Sequence, residues 1–211
     1  MCGIFGFYLK RNLNDQDIKV GIEGLNYLKH RGPDYTGYWF DKSKGIFLGH
    51  NRLSIIDTSD RANQPFIKDD KVLLFNGEIY NYLDLKKNKV SDFNYFTTSD
   101  TEVLFNFLDK YECENLSQLD GMFSFVFLKN NLLNLGTDIF SEKFLFYHTN
   151  SSGIYFSSEA KPLIDLFNLK RSKNFKLKKQ FMSLGYIIPP DTTFDKLCIT
   201  EQSSIMKIYK G

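Results

Sequence analysis

Hydrophobic and polar positions along the first half of the chain predict one strand, one helix and then several more strands. The apolar run at residues 4–9 is flanked by glycines and predicts a strand. Apolar residues then recur at spacings of four, three and three over residues 15–30. This spacing predicts an amphipathic helix, which the turn signal Gly32-Pro33 ends. Shorter apolar pieces, each typical of a strand, follow at residues 38–40, 46–48, 53–56 and 72–75.

The second half repeats this alternation of helical and strand-like patterns. An apolar stripe over residues 100–111 predicts a helix, and Ser99 with Glu102 matches a capping box at its start. Residues 86–98 are polar and predict a surface loop, while residues 80–87 and 159–166 predict short helices. Strand-like pieces lie at residues 123–128, 132–135, 145–148 and 154–157, with turn signals at residues 130–131 and 151–153.

Basic residues are concentrated near the end of the chain. Six of the ten residues from 170 to 179 are Lys or Arg, which is typical of a solvated helix face, and Pro189-Pro190 predicts a bend. Strand-rich runs with helices at the start, middle and end favour an α+β fold over alternating βαβ units.

Composition narrows the class of protein. A chain of 211 residues predicts one large domain or two very small ones. With 42% hydrophobic and 25% charged residues, it is not collagen-like, disordered or a coiled coil. The net charge of +2 is too small to indicate nucleic acid or an anionic membrane as a partner.

Cysteine and histidine usage predicts no metal site and no disulfide framework. The cysteines at positions 2, 113 and 198 lack CxxC spacing, and the three histidines are scattered. No apolar run reaches the roughly 18 residues of a transmembrane helix. The first residues also lack the basic segment of a signal peptide. We therefore expect a cytoplasmic protein with no membrane and no nucleic acid among its partners.

Cys2 is the sharpest single candidate for chemistry. Removal of Met1 would give Cys2 a free α-amine beside its thiol, so that one residue would carry a nucleophile and a base. A terminal amine titrates near about 7.7–8.0 and can accept a proton at physiological pH.

Six short segments of the chain, one of which contains Cys2, form a recognisable series of motifs. They are Met1-Cys-Gly-Ile-Phe-Gly6, His30-Arg-Gly-Pro-Asp34, Asn51-Arg-Leu-Ser-Ile-Ile-Asp57, Phe75-Asn-Gly-Glu-Ile-Tyr-Asn-Tyr82, Ser99-Asp-Thr-Glu102 and Leu119-Asp-Gly-Met-Phe123. In this order they resemble the glutaminase domain of glutamine-dependent asparagine synthetases, amidotransferases with an N-terminal cysteine nucleophile. The resemblance runs from residue 2 to about residue 197. It implies a four-layer αββα sandwich, with two antiparallel sheets between helical layers (the N-terminal-nucleophile hydrolase fold).

The resemblance also implies roles in glutamine hydrolysis. Cys2 would attack the side-chain amide of L-glutamine and form a γ-glutamyl thioester that water then hydrolyses. The side-chain amide of Asn76 and the backbone N–H of Gly77 would form the oxyanion hole, although a lone Asn-Gly pair is more typical of a hairpin turn.

The remaining implied roles concern the rest of glutamine. Arg52 would clamp the α-carboxylate and Asp100 would hold the α-ammonium. Glu78, Leu53 and Ile55 would border the same pocket. His30 and Arg31 are expected to be structural and to order the glutamine-binding loop.

Two departures from the family pattern concern the partner domain. Thr137, Ser141 and Phe144 replace the usual Arg, Gly and Pro of a segment that lies toward that domain. This change bears on coupling rather than on hydrolysis. The Ser-Gly-Gly-x-Asp-Ser phosphate loop of the ATP-dependent synthetase domain is also absent from these 211 residues.

We therefore expect a glutaminase domain at residues 1–190, with its end and the start of a bridge at residues 191–211. ATP and Mg would bind only in a synthetase domain outside this chain, in cis or in trans. Exposed apolar surface is expected near residues 140–146 and Pro189-Pro190, and a homodimer is possible. The alternatives are the same chemistry serving a sugar or surface-polymer precursor, or an inactive docking domain. The intact site residues argue against inactivity.

Overall fold

Eleven strands in two antiparallel sheets form the centre of the molecule. The computed structural model describes residues 1–209, except for the side chain of residue 114. The strands are β1 (Gly3–Leu9), β2 (Tyr35–Asp41), β3 (Ile46–Arg52), β4 (Phe66–Lys68), β5 (Lys71–Ile79), β6 (Gly121–Lys129), β7 (Leu132–Thr137), β8 (Phe146–Asn150), β9 (Gly153–Ser157), β10 (Leu197–Ile199) and β11 (Ile205–Ile208). The six-stranded sheet has the order β10-β8-β9-β1-β3-β2, and the five-stranded sheet has the order β11-β7-β6-β5-β4.

Helices cover the outer face of each sheet. These helices are α1 (Asp15–Tyr27), α2 (Tyr82–Asn88), α3 (Asp100–Tyr111) and α4 (Ala160–Phe167), whereas a fifth helix, α5 (Phe175–Leu184), contains no buried residue. The cores formed with the strands place α1 and α4 on the six-stranded sheet, and α2 and α3 on the five-stranded sheet. The layers follow the order helices, sheet, sheet, helices, so the predicted αββα sandwich is confirmed.

β1 shows why the two sheets stack. All seven of its residues are buried, as expected for a strand with both faces covered. Phe5 and Phe7 point toward α1 and α4, while Ile4 and Tyr8 point into the core between the sheets. The sequence of a strand at the centre of such a sandwich is therefore apolar throughout, without alternating polar residues.

Several predicted elements differ from the structure. Residues 53–56 are not a strand but a loop that follows β3, because they turn out of the sheet toward Cys2. The predicted capping box on α3 is only half formed. Ser99 Oγ accepts from the N–H of Thr101 at 3.2 Å, but the buried Glu102 carboxylate accepts from the N–H groups of Phe96 and Thr97 instead.

The end of the chain contributes one strand to each sheet. β10 pairs with β8 and β11 pairs with β7, so each sheet is completed by residues beyond 190. Strands of the domain thus continue to Ile208, within the segment where the end of the domain was expected. No helix among residues 1–209 has the length and apolarity needed to cross a membrane.

Candidate active site

Cys2 lies where the six-stranded sheet meets the loop after β3. β1 pairs with β3, with Gly3 opposite Asn51, so Cys2 emerges beside the end of β3. Its Sγ accepts from the N–H of Leu53 at 3.4 Å and lies 3.8 Å from the Leu53 carbonyl oxygen. The strand pairing therefore fixes the thiol against the loop at residues 53–59.

The backbone of Cys2 is held from the other side by Arg31. The Arg31 Nε donates to the Cys2 carbonyl at 2.8 Å, and Arg31 Nη1 and His30 Nε2 both contact Glu159 Oε1, at 3.0 and 2.8 Å. His30 and Arg31 thus order the N-terminus, not the glutamine-binding loop as predicted. Asp34 contacts that loop instead, because its Oδ2 accepts from the N–H of Ser54 at 2.7 Å.

The surroundings of Cys2 favour the neutral thiol over the thiolate. Burial raises the pKa of Cys2 above its ordinary value of 9.0, although the Leu53 N–H, the N-terminal charge and two arginines oppose this shift. A neutral thiol needs a base before it can act as a nucleophile. Met1 lines the pocket beside Cys2, so its removal would place the new α-amine there.

Asn76 and Gly77 lie inside β5, opposite Ser124 and Phe123, and do not form the hairpin turn that an isolated Asn-Gly favours. Gly77 has a φ of 153°, and a Cβ at this position would collide with the carbonyl oxygen of Met122. Glycine is therefore required for β5 to approach β6 this closely.

The N–H of Gly77 points away from β6. Phe123, its partner across the ladder, uses its own N–H and carbonyl on Asp138, so Gly77 and Phe123 form a pair without mutual hydrogen bonds. On the same edge of β5, the N–H of Phe75 donates to Gln64 Oε1 and the N–H of Ile79 donates to Asp100 Oδ2. The N–H of Gly77 lies between them and faces the pocket.

Asn76 provides a second hydrogen-bonding group at the same place. Its side chain is 2% exposed, and its Oδ1 is buried with no hydrogen-bond partner within residues 1–209. A ligand oxygen needs a donor, and the Asn76 Nδ2 also makes no hydrogen bond within the described residues, so this donor is available beside the N–H of Gly77.

Arg52 is 4% exposed and its guanidinium organises the loop that follows β3. Nη1 donates to the Ser59 carbonyl at 3.0 Å and to Asn63 Oδ1 at 2.8 Å. Nη2 donates to the carbonyls of Ile56 and Asp57. All four terminal N–H groups are thus engaged, so a bidentate clamp on a carboxylate requires exchange of these contacts.

Asp100 places a buried carboxylate at the start of α3. Its Oδ2 accepts from the N–H of Ile79 at 3.1 Å, and Ser99 Oγ lies 3.3 Å from Oδ1. Burial, with Glu78 as a weaker repulsive neighbour, raises the pKa of Asp100. No cation pairs with it within the described part of the chain, so a positively charged ligand group would offset its desolvation.

All eight predicted site residues line one pocket: Cys2, Arg52, Leu53, Ile55, Asn76, Gly77, Glu78 and Asp100. Ile55 is 71% exposed and stands at the rim. Sequence reasoning missed Gln64, Met122 and Lys143, which also line the pocket. Met122 lies in a quoted motif, and Gln64 precedes a proline between two strands. Among residues 1–209, no group of three His, Cys, Asp or Glu side chains could hold a metal.

The chain matches the glutamine amidotransferase domain family over residues 1–211. It is 37% identical over 199 residues to the glutamine-hydrolyzing asparagine synthetase 1 of Bacillus subtilis, which covers 91% of this chain and 31% of the relative. It is also 37% identical over 171 residues to the glutamine-hydrolyzing asparagine synthetase of Asparagus officinalis, with 78% and 28% covered. The chain thus spans about a third of the length of these relatives.

The fold resembles a solved structure as well. The glutamine phosphoribosylpyrophosphate amidotransferase of B. subtilis superposes with a TM-score of 0.66 at 18% identity. The match covers 100% of this chain and 49% of that chain. At this identity the likeness concerns the fold alone.

Proposed function

Because the chain belongs to the glutamine amidotransferase domain family, we propose that it hydrolyses L-glutamine to glutamate and ammonia through a thioester on Cys2. The observation that carries the proposal is the grouping of three features in one pocket. These are the Cys2 thiol, the inward-facing N–H of Gly77 and the unpaired carboxylate of Asp100.

The first chemical step forms the thioester. The α-amine of Cys2 takes the thiol proton, and Sγ attacks the side-chain amide carbon of glutamine. The negative charge that develops on the amide oxygen is stabilised by the N–H of Gly77 and the side-chain amide of Asn76. The C–N bond then breaks, and the proton held by the α-amine leaves with ammonia. Water hydrolyses the γ-glutamyl thioester in the second step and restores the thiol.

Charged residues of the pocket recognise the amino-acid end of glutamine. Asp100 binds the α-ammonium with Glu78 beside it, and Arg52 binds the α-carboxylate once its contacts to the loop have rearranged. Glutamine binding would in this way couple the loop at residues 53–59 to the substrate.

The ammonia is proposed to serve amide synthesis, with asparagine as product. Support comes from two longer relatives that are glutamine-hydrolyzing asparagine synthetases. ATP and Mg would then bind in a synthetase domain supplied in cis or in trans. Ile139 and Phe140 are exposed and lie in the segment expected to meet that domain. A sugar or surface-polymer acceptor stays the alternative, and a homodimer stays a prediction.

The proposed mechanism also requires a reducing compartment, and we place the protein in the cytoplasm. None of the described cysteines forms a disulfide, and Cys2 must remain a thiol to react. Oxidation of this residue would stop thioester formation.

The test combines turnover with trapping of the intermediate. The chain beginning at Cys2 should release ammonia from glutamine, and denaturing mass spectrometry of quenched samples should detect the γ-glutamyl adduct on Cys2. Cys2→Ala should bind glutamine without turnover, whereas Cys198→Ala is the matched control outside the pocket and should behave as wild type. Turnover by Cys2→Ala at the wild-type rate would refute the proposal.

A further inference from the structure

At Phe75, the edge of β5 that carries Gly77 is bound by the side-chain amide of Gln64. The N–H of Phe75 donates to Gln64 Oε1 at 2.6 Å, and Gln64 Nε2 donates back to the Phe75 carbonyl at 3.2 Å. These are the two bonds that a neighbouring strand would make with Phe75. Gln64 is 4% exposed, so the pair is shielded from water.

The register of β4 explains why a side chain performs this task. β4 pairs with β5 with Phe66 opposite Leu73, and continuing the ladder by two residues brings Gln64 opposite Phe75. The backbone of Gln64 does not take this place, because its carbonyl packs against Gly37 of β2. The chain before Gln64 forms a short 3-10 turn over Asp60–Ala62 instead of continuing the strand.

The consequence appears two residues along β5. A continued β4 would place residue 62 opposite Gly77 and would cover its N–H with another backbone. Because the ladder ends in the Gln64 amide, Phe75 is satisfied and the next donor, on Gly77, stays open to the pocket.

His50, on the six-stranded sheet, contacts the same Phe75 carbonyl. It is fully buried on β3, and its Nε2 lies 3.0 Å from the Phe75 carbonyl oxygen. A carbonyl can only accept, so Nε2 carries the proton. Burial lowers the pKa of His50 to about 3, so the ring stays neutral. The carbonyl next to Asn76 is therefore held by two donors.

We propose that Gln64, assisted by His50, is a positioning residue for the oxyanion hole. Its amide ends the β4–β5 ladder at Phe75, and this fixes the directions of the Asn76 side chain and the Gly77 N–H. The inference rests on the proposed glutamine hydrolysis.

The experiment compares three readouts in Gln64→Met, a variant of similar length with no amide. We expect kcat for glutamine hydrolysis to fall about 10- to 100-fold, because small misplacements of catalytic groups have effects of this size. KM should change by less than about a factor of two, since Arg52 and Asp100 are untouched. Alkylation of Cys2 by iodoacetamide forms no oxyanion, so its rate should stay at the wild-type value.

Gln118→Met is the matched control, because Gln118 is partly buried and lies outside the pocket; it should match wild type in all three readouts. Wild-type kcat in Gln64→Met would overturn the inference. A parallel loss of kcat, glutamine affinity and alkylation would also overturn it, because that pattern indicates general unfolding of the pocket.

A second pair of variants decides the question if Gln64→Met does not fold. His50→Phe removes the donor to Phe75 and should lower kcat with KM kept, while His50→Gln carries an amide N–H and should restore most of the rate. Equal kcat in the two would overturn the inference. The proposed function is judged separately, since its failure would appear as absence of glutamine turnover in the wild-type chain.

Discussion

At the scale of single residues, the protonation of Cys2 decides how the rate depends on pH. Burial keeps its pKa above the ordinary value of 9.0, so the thiol is neutral near pH 7. The α-amine titrates near about 7.7–8.0 and must be unprotonated to accept the thiol proton. We therefore expect kcat/KM to rise with pH through the amine pKa and to level off above about pH 8.

The measurement is kcat/KM for glutamine between about pH 5.5 and 9.5, around the amine pKa of about 7.7–8.0. A chain that retains Met1 is the control and should be inactive throughout, because the peptide nitrogen of Cys2 cannot serve as a base. A rate that keeps climbing past pH 9 would instead identify the thiolate as the resting nucleophile.

The buried charge of Asp100 is expected to favour glutamine binding but to lower the stability of the folded protein. Its folded-state pKa is raised above the ordinary value of 3.8 by burial, so its ionised form destabilises the folded protein. This cost is present above the raised pKa and vanishes below about pH 3.8, where both states are protonated. Asp100→Asn keeps an acceptor for the Ile79 N–H and removes the buried charge.

We expect Asp100→Asn to raise the thermal unfolding midpoint at pH 7 by about 2–4 °C, the shift that 1 kcal/mol produces at this size. Its KM for glutamine should rise at least about tenfold, because the partner of the α-ammonium is lost. Exposed Asp70→Asn should change neither. A variant that is both less stable and equally tight in binding would contradict this assignment.

Arg52 has two proposed roles, binding the α-carboxylate of glutamine and ordering the loop after β3, and a substitution can distinguish them. If its guanidinium binds the α-carboxylate, Arg52→Lys should lower kcat/KM for glutamine. The kcat/KM for 4-aminobutanamide, which is glutamine without that carboxylate, should not change. If it only orders the loop through Ser59 and Asn63, both substrates should lose the same factor in kcat/KM. We expect the first pattern, with about tenfold selectivity for a lost charge-assisted contact. Steady-state hydrolysis of the two amides gives the ratio.

The site residues could be predicted individually, but their supports could not. Cys2, Asn76, Gly77 and Asp100 lie in short motifs that the sequence displays directly. The contact of Gln64 with Phe75 depends on where β4 ends, which no local pattern encodes. The same holds for Arg31, whose contact with the Cys2 carbonyl joins two segments 29 residues apart.

At the scale of secondary structure, the predicted elements that failed are those decided by tertiary contacts. Residues 53–56 have a strand-like composition, yet the N–H of Leu53 contacts Cys2 and the N–H of Ser54 contacts Asp34, so the segment leaves the sheet. The helix at Asp100–Tyr111 was predicted correctly because its apolar stripe is long and regular.

Asp138 allows a test of how one side chain shapes a segment near the pocket. Oδ1 accepts from the N–H groups of Phe140 and Glu142, and Oδ2 accepts from those of Phe123 and Lys143. Asp138→Asn would turn an NH₂ group toward two of these donors. We expect it to lower the free energy of unfolding by about 1.5–3 kcal/mol.

Urea unfolding of Asp138→Asn measures this loss. Asp120→Asn is the matched control, since Asp120 is exposed and its side chain accepts no hydrogen bond within the described residues; a change below about 0.5 kcal/mol is expected there. Equal unfolding midpoints in the two variants would mean that the segment after β7 folds without the carboxylate.

At the scale of the whole molecule, the sandwich leaves apolar side chains uncovered where the synthetase domain is expected. Phe140 is 75% exposed and Ile139 is 63% exposed, in the segment that Asp138 folds. Tyr186 and Ile188, just before Pro189-Pro190, are also exposed. These are the two places where the sequence predicted exposed apolar surface, and exposed apolar patches often mark an interface.

Phe140 therefore offers a test of coupling that spares hydrolysis. With the synthetase domain supplied in cis or in trans, Phe140→Ser should lower glutamine-dependent asparagine synthesis by at least about tenfold, the loss expected for about 1.4 kcal/mol of docking energy. Glutaminase turnover and ammonia-dependent synthesis should both stay at the wild-type level, because neither needs ammonia to pass between the domains.

Ile67→Ser, a substitution at an exposed position of β4, is the control and should leave all three activities unchanged. Full glutamine-dependent synthesis in Phe140→Ser would show that the partner domain docks elsewhere, and absence of asparagine from the wild-type pair would favour a different ammonia acceptor.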